Sequence, residues 1–155
     1  MHKQTHIVGY VRDQMRCKAS SQLSAMDKHD ITDVWVEGRR VGLKHSLAEQ
    51  SLDLLLLYLR PGQTLAVYKT VILAPDGPHR RKRMLDYFAA IEAKGTPEKP
   101  ITIWEISTGL RNTTREHRDK MRDAAVDALA KVVSAEPAGR QIGRASCRER
   151  VSSPV

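Results

Sequence analysis

The commonest side chains in this sequence that could do chemistry are cations, 26 Lys and Arg against 18 Asp and Glu. His79, Arg80, Arg81, Lys82 and Arg83 stand in one unbroken run. At the start of a helix such a run faces the positive end of the dipole, at a cost of roughly a few tenths of a kcal/mol or more unless an anion lies near. An anionic partner removes that cost; a solvated helix face is the plain alternative. Gly38 to His45, GRRVGLKH, adds Arg39, Arg40 and Lys44, and Arg12 closes the apolar run IVGYVR. Guanidinium groups match phosphate oxygens, so phosphate binding is the chemistry these residues suit. Bond-breaking chemistry is harder to find. The sequence has no Gly-rich phosphate loop, no His-x-x-x-His or Cys-x-x-Cys spacing and no carboxylate pair set for a metal, so neither metal nor small-molecule cofactor is expected. The six histidines are scattered and read as surface or capping residues. Cys17 has no placed base and reads as inert, and Ser20 or Ser21 reads as a helix cap.

The elements that must position these residues form one domain. A chain of 155 residues with 41% hydrophobic content can bury one core, expected over 1–136, and Pro137 and Gly139 mark a disordered tail over 137–155. Within it Ile142 to Val151, IGRASCRERV, reads as a translated sequencing adapter. Setting it aside lowers the formal net charge of +8 by two and removes Cys147, so that Cys17 alone supports neither a disulfide nor a metal site. A natural chain continuing past Gln141 would then do so with other residues. The basic balance favours a polyanion, nucleic acid before membrane, although solubility alone is an equal reading. No apolar run approaches the roughly 20 residues of a membrane span, and MHKQTHIVGYVR lacks the apolar core of a signal peptide. A reducing, cytoplasmic setting is expected.

The centre of the pattern is SLDLLLLYLRPGQTLAVYK, Ser51 to Lys69. Leu52, Leu55, Leu56 and Leu59 recur at helical spacing, Pro61 and Gly62 stop the helix, and Thr64 to Tyr68 reads as a buried strand. Before it, His6 to Arg12 predicts a first strand with Gly9 at a close approach, a short helix to Lys28 carries Leu23 and Met26 inward, and Val34 to Val36 forms a second strand. After it come TVILAP, a turn at Asp76-Gly77, and a helix with Pro78 in its first position, Met84, Leu85, Phe88 and Ile91 as its stripe and Gly95 at its end. Ile101 to Ile106 is the fourth strand, with Trp35 and Trp104 taken as core. A long helix over 113–133, capped by Thr113 or Thr114, buries Met121, Ala125, Ala128, Leu129 and Val132 and could pack on its own sheet or on a second subunit. The order predicts one doubly wound, mainly parallel α/β sheet of four or five strands.

LDLLLLYLRPGQTLAVYK closely resembles the segment of resolvase/invertase-type serine recombinases in which a leucine-rich helix ends in a Leu-Arg-Pro-Gly-Asp-like turn and enters a strand closing in Trp-Lys or Tyr-Lys. IVGYVR resembles that family's opening strand, and the likeness extends over Ile7 to Val133, including EAKG and the long last helix. It implies a resolvase-like catalytic domain, DNA as partner, and strand exchange in which a serine hydroxyl attacks a phosphodiester while arginines, one oriented by an aspartate, stabilise the pentavalent phosphate.

At the positions the resemblance makes critical, this sequence departs from the family. Arg12 matches the arginine of Tyr-x-Arg-x-Ser, but the nucleophile's position holds Gln14. Glu49 stands where an arginine is expected, and Val71, Ile72, Leu73, Ala74 and Pro75 replace Asp-Arg-Leu-Gly-Arg. Groups that act as a unit fail as a unit, so a catalytically inactive member is expected. Its role would be DNA-associated or regulatory, with Arg12, Arg39, Arg40, Lys44, Arg80, Arg81, Lys82 and Arg83 on phosphates and a homodimer through the helix 113–133. The alternative is an active or diverged recombinase with relocated chemistry.

Overall fold

The structure, a computed structural model, describes residues 6–14, 17–37 and 51–135. Four short strands form one sheet: β1 (Ile7–Arg12), β2 (Val34–Glu37), β3 (Thr64–Val67) and β4 (Thr102–Glu105). Their order is β2-β1-β3-β4 and every pairing is parallel. Parallel strands need crossovers, which here are the helices α1 (Ala19–Lys28), α2 (Leu52–Tyr58) and α3 (Arg80–Glu92); α4 (Arg115–Ala135) follows the last strand, and a 3-10 turn, Thr70–Leu73, lies between β3 and α3. The chain is thus α/β with a four-stranded parallel sheet, as its alternation of elements predicts.

The two faces of the sheet are covered unequally. Val8, Tyr10, Leu65, Val67 and Ile103 point to the face where Leu52, Leu55 and Leu59 of α2 and its C-terminal flank, Met84, Phe88 and Ile91 of α3, and Met121, Ala125 and Leu129 of α4 complete the larger core. The alternate residues Val11 and Ala66 meet Met26 and Ile31 in a smaller core under α1. That alternation is the period of two that parallel strands with two covered faces require. The small core depends on Gly9, because a Cβ there would lie 2.8 Å from the Met26 sulfur and 3.2 Å from Ile31. The expected close approach is therefore made by α1.

Local signals explain most boundaries. Ser51 caps α2 by accepting a hydrogen bond from Leu54 N–H, and Gly62 turns the chain into β3 with a φ of 88°. Thr114 Oγ1 accepts from His117 N–H, as expected of a cap for the last helix.

Several expectations need correction. Asp13, rather than Ser20 or Ser21, caps α1, accepting from Ala19 N–H at 2.9 Å. Leu23 is exposed; Gln22 and Met26 are the residues that α1 buries, because this helix meets the sheet along one narrow row. Pro78 does not open α3. His79 intervenes with a φ of 60°, so the helix starts at Arg80, and it ends at Glu92, before Gly95. Ala128 is exposed, while Met121, Ala125 and Leu129 repeat every fourth residue; Val132 lies outside the described side chains. Trp35 and Trp104 are half-buried because they stand on the two edge strands, Trp35 against the Tyr58 ring and Trp104 under the Arg111 guanidinium at 4.4 Å. Cys17 is buried and disulfide-bonded, against the expectation that it supports no disulfide.

Candidate functional site

In sheets of this order ligands bind beyond the carboxyl ends of the strands where neighbouring crossovers leave on opposite faces, which here is the gap between β1 and β3. Arg12 ends β1 at that gap. It is only 7% exposed. Its Nε donates to the Ile72 carbonyl at 2.9 Å, Nη1 reaches Glu37 Oε2 at 3.3 Å, and the guanidinium carbon lies 5.6 Å from the centre of the Tyr10 ring. Gln14, also buried, donates from Nε2 to the Ala74 carbonyl at 3.1 Å. Ile72, Leu73, Ala74 and Pro75 are buried with it, and Val71 packs at the rim of the larger core. Side chains leaving β1 therefore bridge the gap to the 3-10 turn and its exit. The backbone of β1 is fixed as firmly: Gln22 Nε2 donates to the carbonyls of Arg12 and Cys17, and its Oε1 accepts from Arg12 N–H.

Two carboxylates at the ends of the edge strands organise what lies around the gap. Glu37 ends β2, where its Oε1 accepts from Tyr10 OH at 2.7 Å and from Leu52 N–H at 2.6 Å while Oε2 faces Arg12. Glu105 ends β4, where Oε2 accepts from Thr70 N–H and Oε1 from Thr108 Oγ1, both at 2.7 Å. Each satisfies an N–H that the start of a helical turn leaves unpaired. Burial pushes the Tyr10 hydroxyl well above its ordinary range, the nearby Arg12 cation opposing it, so the phenol remains a donor. The sequence reading missed Tyr10, Glu37 and Glu105. A signal was present: VWVE and TIWE are apolar strands that each close on a single acid.

The basic run is placed differently. Arg81, Lys82 and Arg83 are exposed on the first turns of α3, and Arg80 is half-buried with its Nε unpartnered. Lys82 pairs with Asp86 at 2.7 Å. Among the described residues Arg81 and Arg83 have no ion pair. No side chain caps this helix and no acid stands in its first turn. Arg83 also lines an open cleft of about 280 Å³ between α2 and α3, beside Asp53, Leu56, Asp86, Tyr87 and Ala90. Tyr87 OH donates to Asp53 Oδ1 at 2.7 Å, and burial followed by that bond pushes the hydroxyl up to about 12.

Of the phosphate-binding candidates, the structure thus gives Arg12 internal partners and leaves Arg81, Lys82 and Arg83 facing solvent. Arg39, Arg40, Lys44 and Glu49 lie outside the described residues. No group of three or more His, Cys, Asp or Glu that could hold a metal occurs among the described residues. No helix among them is long and apolar enough to cross a membrane. No protein-family model matches the chain, and no curated protein matches it either.

Proposed function

We propose that this chain is a resolvase-like α/β domain without strand-exchange chemistry that associates with DNA through phosphate contacts at the start of α3. The observation that carries the reading is the contrast between Arg12, spent on Ile72 O and Glu37, and Arg81 and Arg83, exposed with no ion pair among the described residues. A nucleophile at the Gln14 position would need a hydroxyl and free guanidinium groups around the developing phosphate charge. That position carries a buried amide hydrogen-bonded to the Ala74 carbonyl. The parallel order β2-β1-β3-β4 and the 21-residue last helix are compatible with a resolvase-like domain. The expected homodimer through 113–133 would use the exposed side of α4, where Ala124, Ala128 and Ala130 lie.

Phosphate contacts release counterions, so binding of a fluorescent duplex, followed by anisotropy, weakens linearly on a log-log plot as salt rises from about 50 to about 200 mM. Replacing both Arg81 and Arg83 by alanine lowers that slope by about 2. An unchanged slope removes α3 from the interface. Incubation with supercoiled plasmid, with and without divalent cations, leaves the plasmid intact; nicking or a covalent protein-DNA adduct overturns the loss of chemistry.

A further inference from the structure

Asp76 alone among the chain's aspartates is followed by glycine. The pair lies in the loop that joins the buried residues Ala74 and Pro75 to the start of α3, and it is exposed together with Pro78 and His79. Gly77 has a φ of 113°, and a Cβ built there would meet nothing within 4 Å, so the backbone at this point stands clear of the rest of the protein. Among the described residues the Gly77 N–H has no acceptor, and the Asp76 carboxylate has neither a hydrogen bond nor an ion pair. No side chain caps α3, so Asp76 is not held at the helix start either. An aspartate inside a helix or strand is kept from turning its carboxyl carbon onto the next nitrogen, because that nitrogen is bonded in the ladder and the following Cβ crowds the approach. Neither restraint operates here, since glycine has no Cβ and leaves the backbone free to rotate. The chain's single asparagine shows the opposite case. Asn112 is followed by Thr113, its Oδ1 accepts from Ile103 N–H at 2.7 Å, and its Nδ2 donates to Glu92 Oε2 at 2.8 Å.

We infer that Asp76-Gly77 is a site of spontaneous covalent modification, at which the fold leaves the main chain free to rearrange into isoaspartate. The Gly77 nitrogen attacks the carboxyl carbon of the Asp76 side chain. A C–N bond forms and closes a cyclic imide, while the amide proton leaves with the carboxyl hydroxyl as water. Water then adds back at either imide carbonyl. Opening at the side-chain carbonyl returns aspartate, whereas opening at the main-chain carbonyl frees that carboxylate and leaves the chain running through the side-chain carbon. One water leaves and one returns, nothing is oxidised or reduced, and the product has the mass of the starting chain. It carries an added main-chain carbon between Pro75 and Arg80, in the joint between the core and the basic helix start. This inference does not depend on DNA association through α3.

The test holds the full chain at neutral pH and physiological temperature, samples it over weeks, and digests each sample with trypsin, which releases Thr70 to Arg80 as one peptide. A sample taken at the start corrects for conversion during digestion. A second chromatographic peak of that peptide, unchanged in mass and resistant to a protease that cuts before aspartate, is expected to grow with time. Exposed loops open at a local free-energy cost near zero, so its rate should lie within about tenfold of that of the synthetic peptide Thr70 to Arg80 in the same buffer. Asp76→Glu keeps the charge in an exposed position but can close only a larger ring, so that chain should give no such peak. If the native chain stays unmodified while the free peptide converts, the fold holds the Asp76 carboxyl away from the Gly77 nitrogen and the inference is overturned. A peak of the same size in the Asp76→Glu chain overturns it as well, since the change then lies at another residue.

Discussion

The mouth of β1 and the start of α3 both present guanidinium groups, and they differ in what those groups touch. At the mouth, Arg12 is buried against a carbonyl and a carboxylate. On α3, Arg81 and Arg83 are exposed with no acid in the helix's first turn. Each region also has a tyrosine donating to a carboxylate at 2.7 Å, Tyr10 to Glu37 and Tyr87 to Asp53. The chemistry is shared, but one region is fixed by its partners and the other faces solvent. Counting positive charges along a sequence cannot separate these cases, because availability depends on the acceptors that the fold brings near.

The largest effect that would break this contrast is at Glu37. Glu37→Ala strands the Arg12 cation, the Tyr10 hydroxyl and Leu52 N–H together. The expected cost is about 3 kcal/mol, somewhat under that of a fully buried pair because Glu37 keeps contact with water, read from urea denaturation in phosphate-free buffer. A loss under about 0.5 kcal/mol, the size of a neutral surface change, would mean that the mouth is no more committed than α3.

Gln14→Ser comes next. It restores a hydroxyl at the position where the resemblance expects a nucleophile and removes the amide bond to Ala74 O. The protein should lose about 1 kcal/mol and still leave supercoiled plasmid uncut, since Arg12 keeps its internal acceptors. A covalent serine-DNA adduct on a denaturing gel would show that the mouth can be reopened by one substitution.

The helical and strand periodicities made the scaffold legible. The leucines before Pro61 and the alternation in IVGYVR each have one economical placement, and the structure uses it; the stripe of the last helix has two, its own sheet or a second subunit, and Met121, Ala125 and Leu129 lie in the larger core. The two tryptophans pack against the two cores as expected but are only half-buried, because a strand's apolar residues do not say whether it lies at an edge, and both VWVE and TIWE do. The candidate site was half legible. Gln14 and the apolar run from Val71 could be read directly as unsuited to phosphate chemistry. The engagement of Arg12 could not, because its acceptors are 25 and 60 residues away in sequence and one of them is a main-chain carbonyl.

The two tyrosines give a smaller, pH-resolved contrast. Both hydroxyls hold their protons in the folded protein above the pH where unfolded tyrosine ionises. The stability they contribute is therefore complete below about pH 10 and is lost as pH rises. For Tyr87 the loss runs from there to about 12, and for Tyr10 it continues beyond. Tyr87→Phe should flatten the fall in urea midpoint between those limits, and Tyr10→Phe should flatten it to higher pH. Equal profiles for the two variants would mean that the mouth is as wet as the α3 cleft.

The smallest effect on stability is expected where the effect on binding is largest. Arg81 stands in the first turn of α3, beside Arg80 and Lys82, with no capping side chain and no ion pair among the described residues. It therefore opposes the helix dipole, and Arg81→Glu replaces an unfavourable charge with a favourable one. The fold should gain roughly 0.5 kcal/mol while duplex affinity falls, the proposed phosphate contact having become a repulsion. Stability and binding then move in opposite directions, as expected of a cation kept for a ligand. If Arg81→Glu instead lowers the thermal midpoint, Arg81 supports the fold, and the distinction between a committed mouth and an available helix start fails on the α3 side.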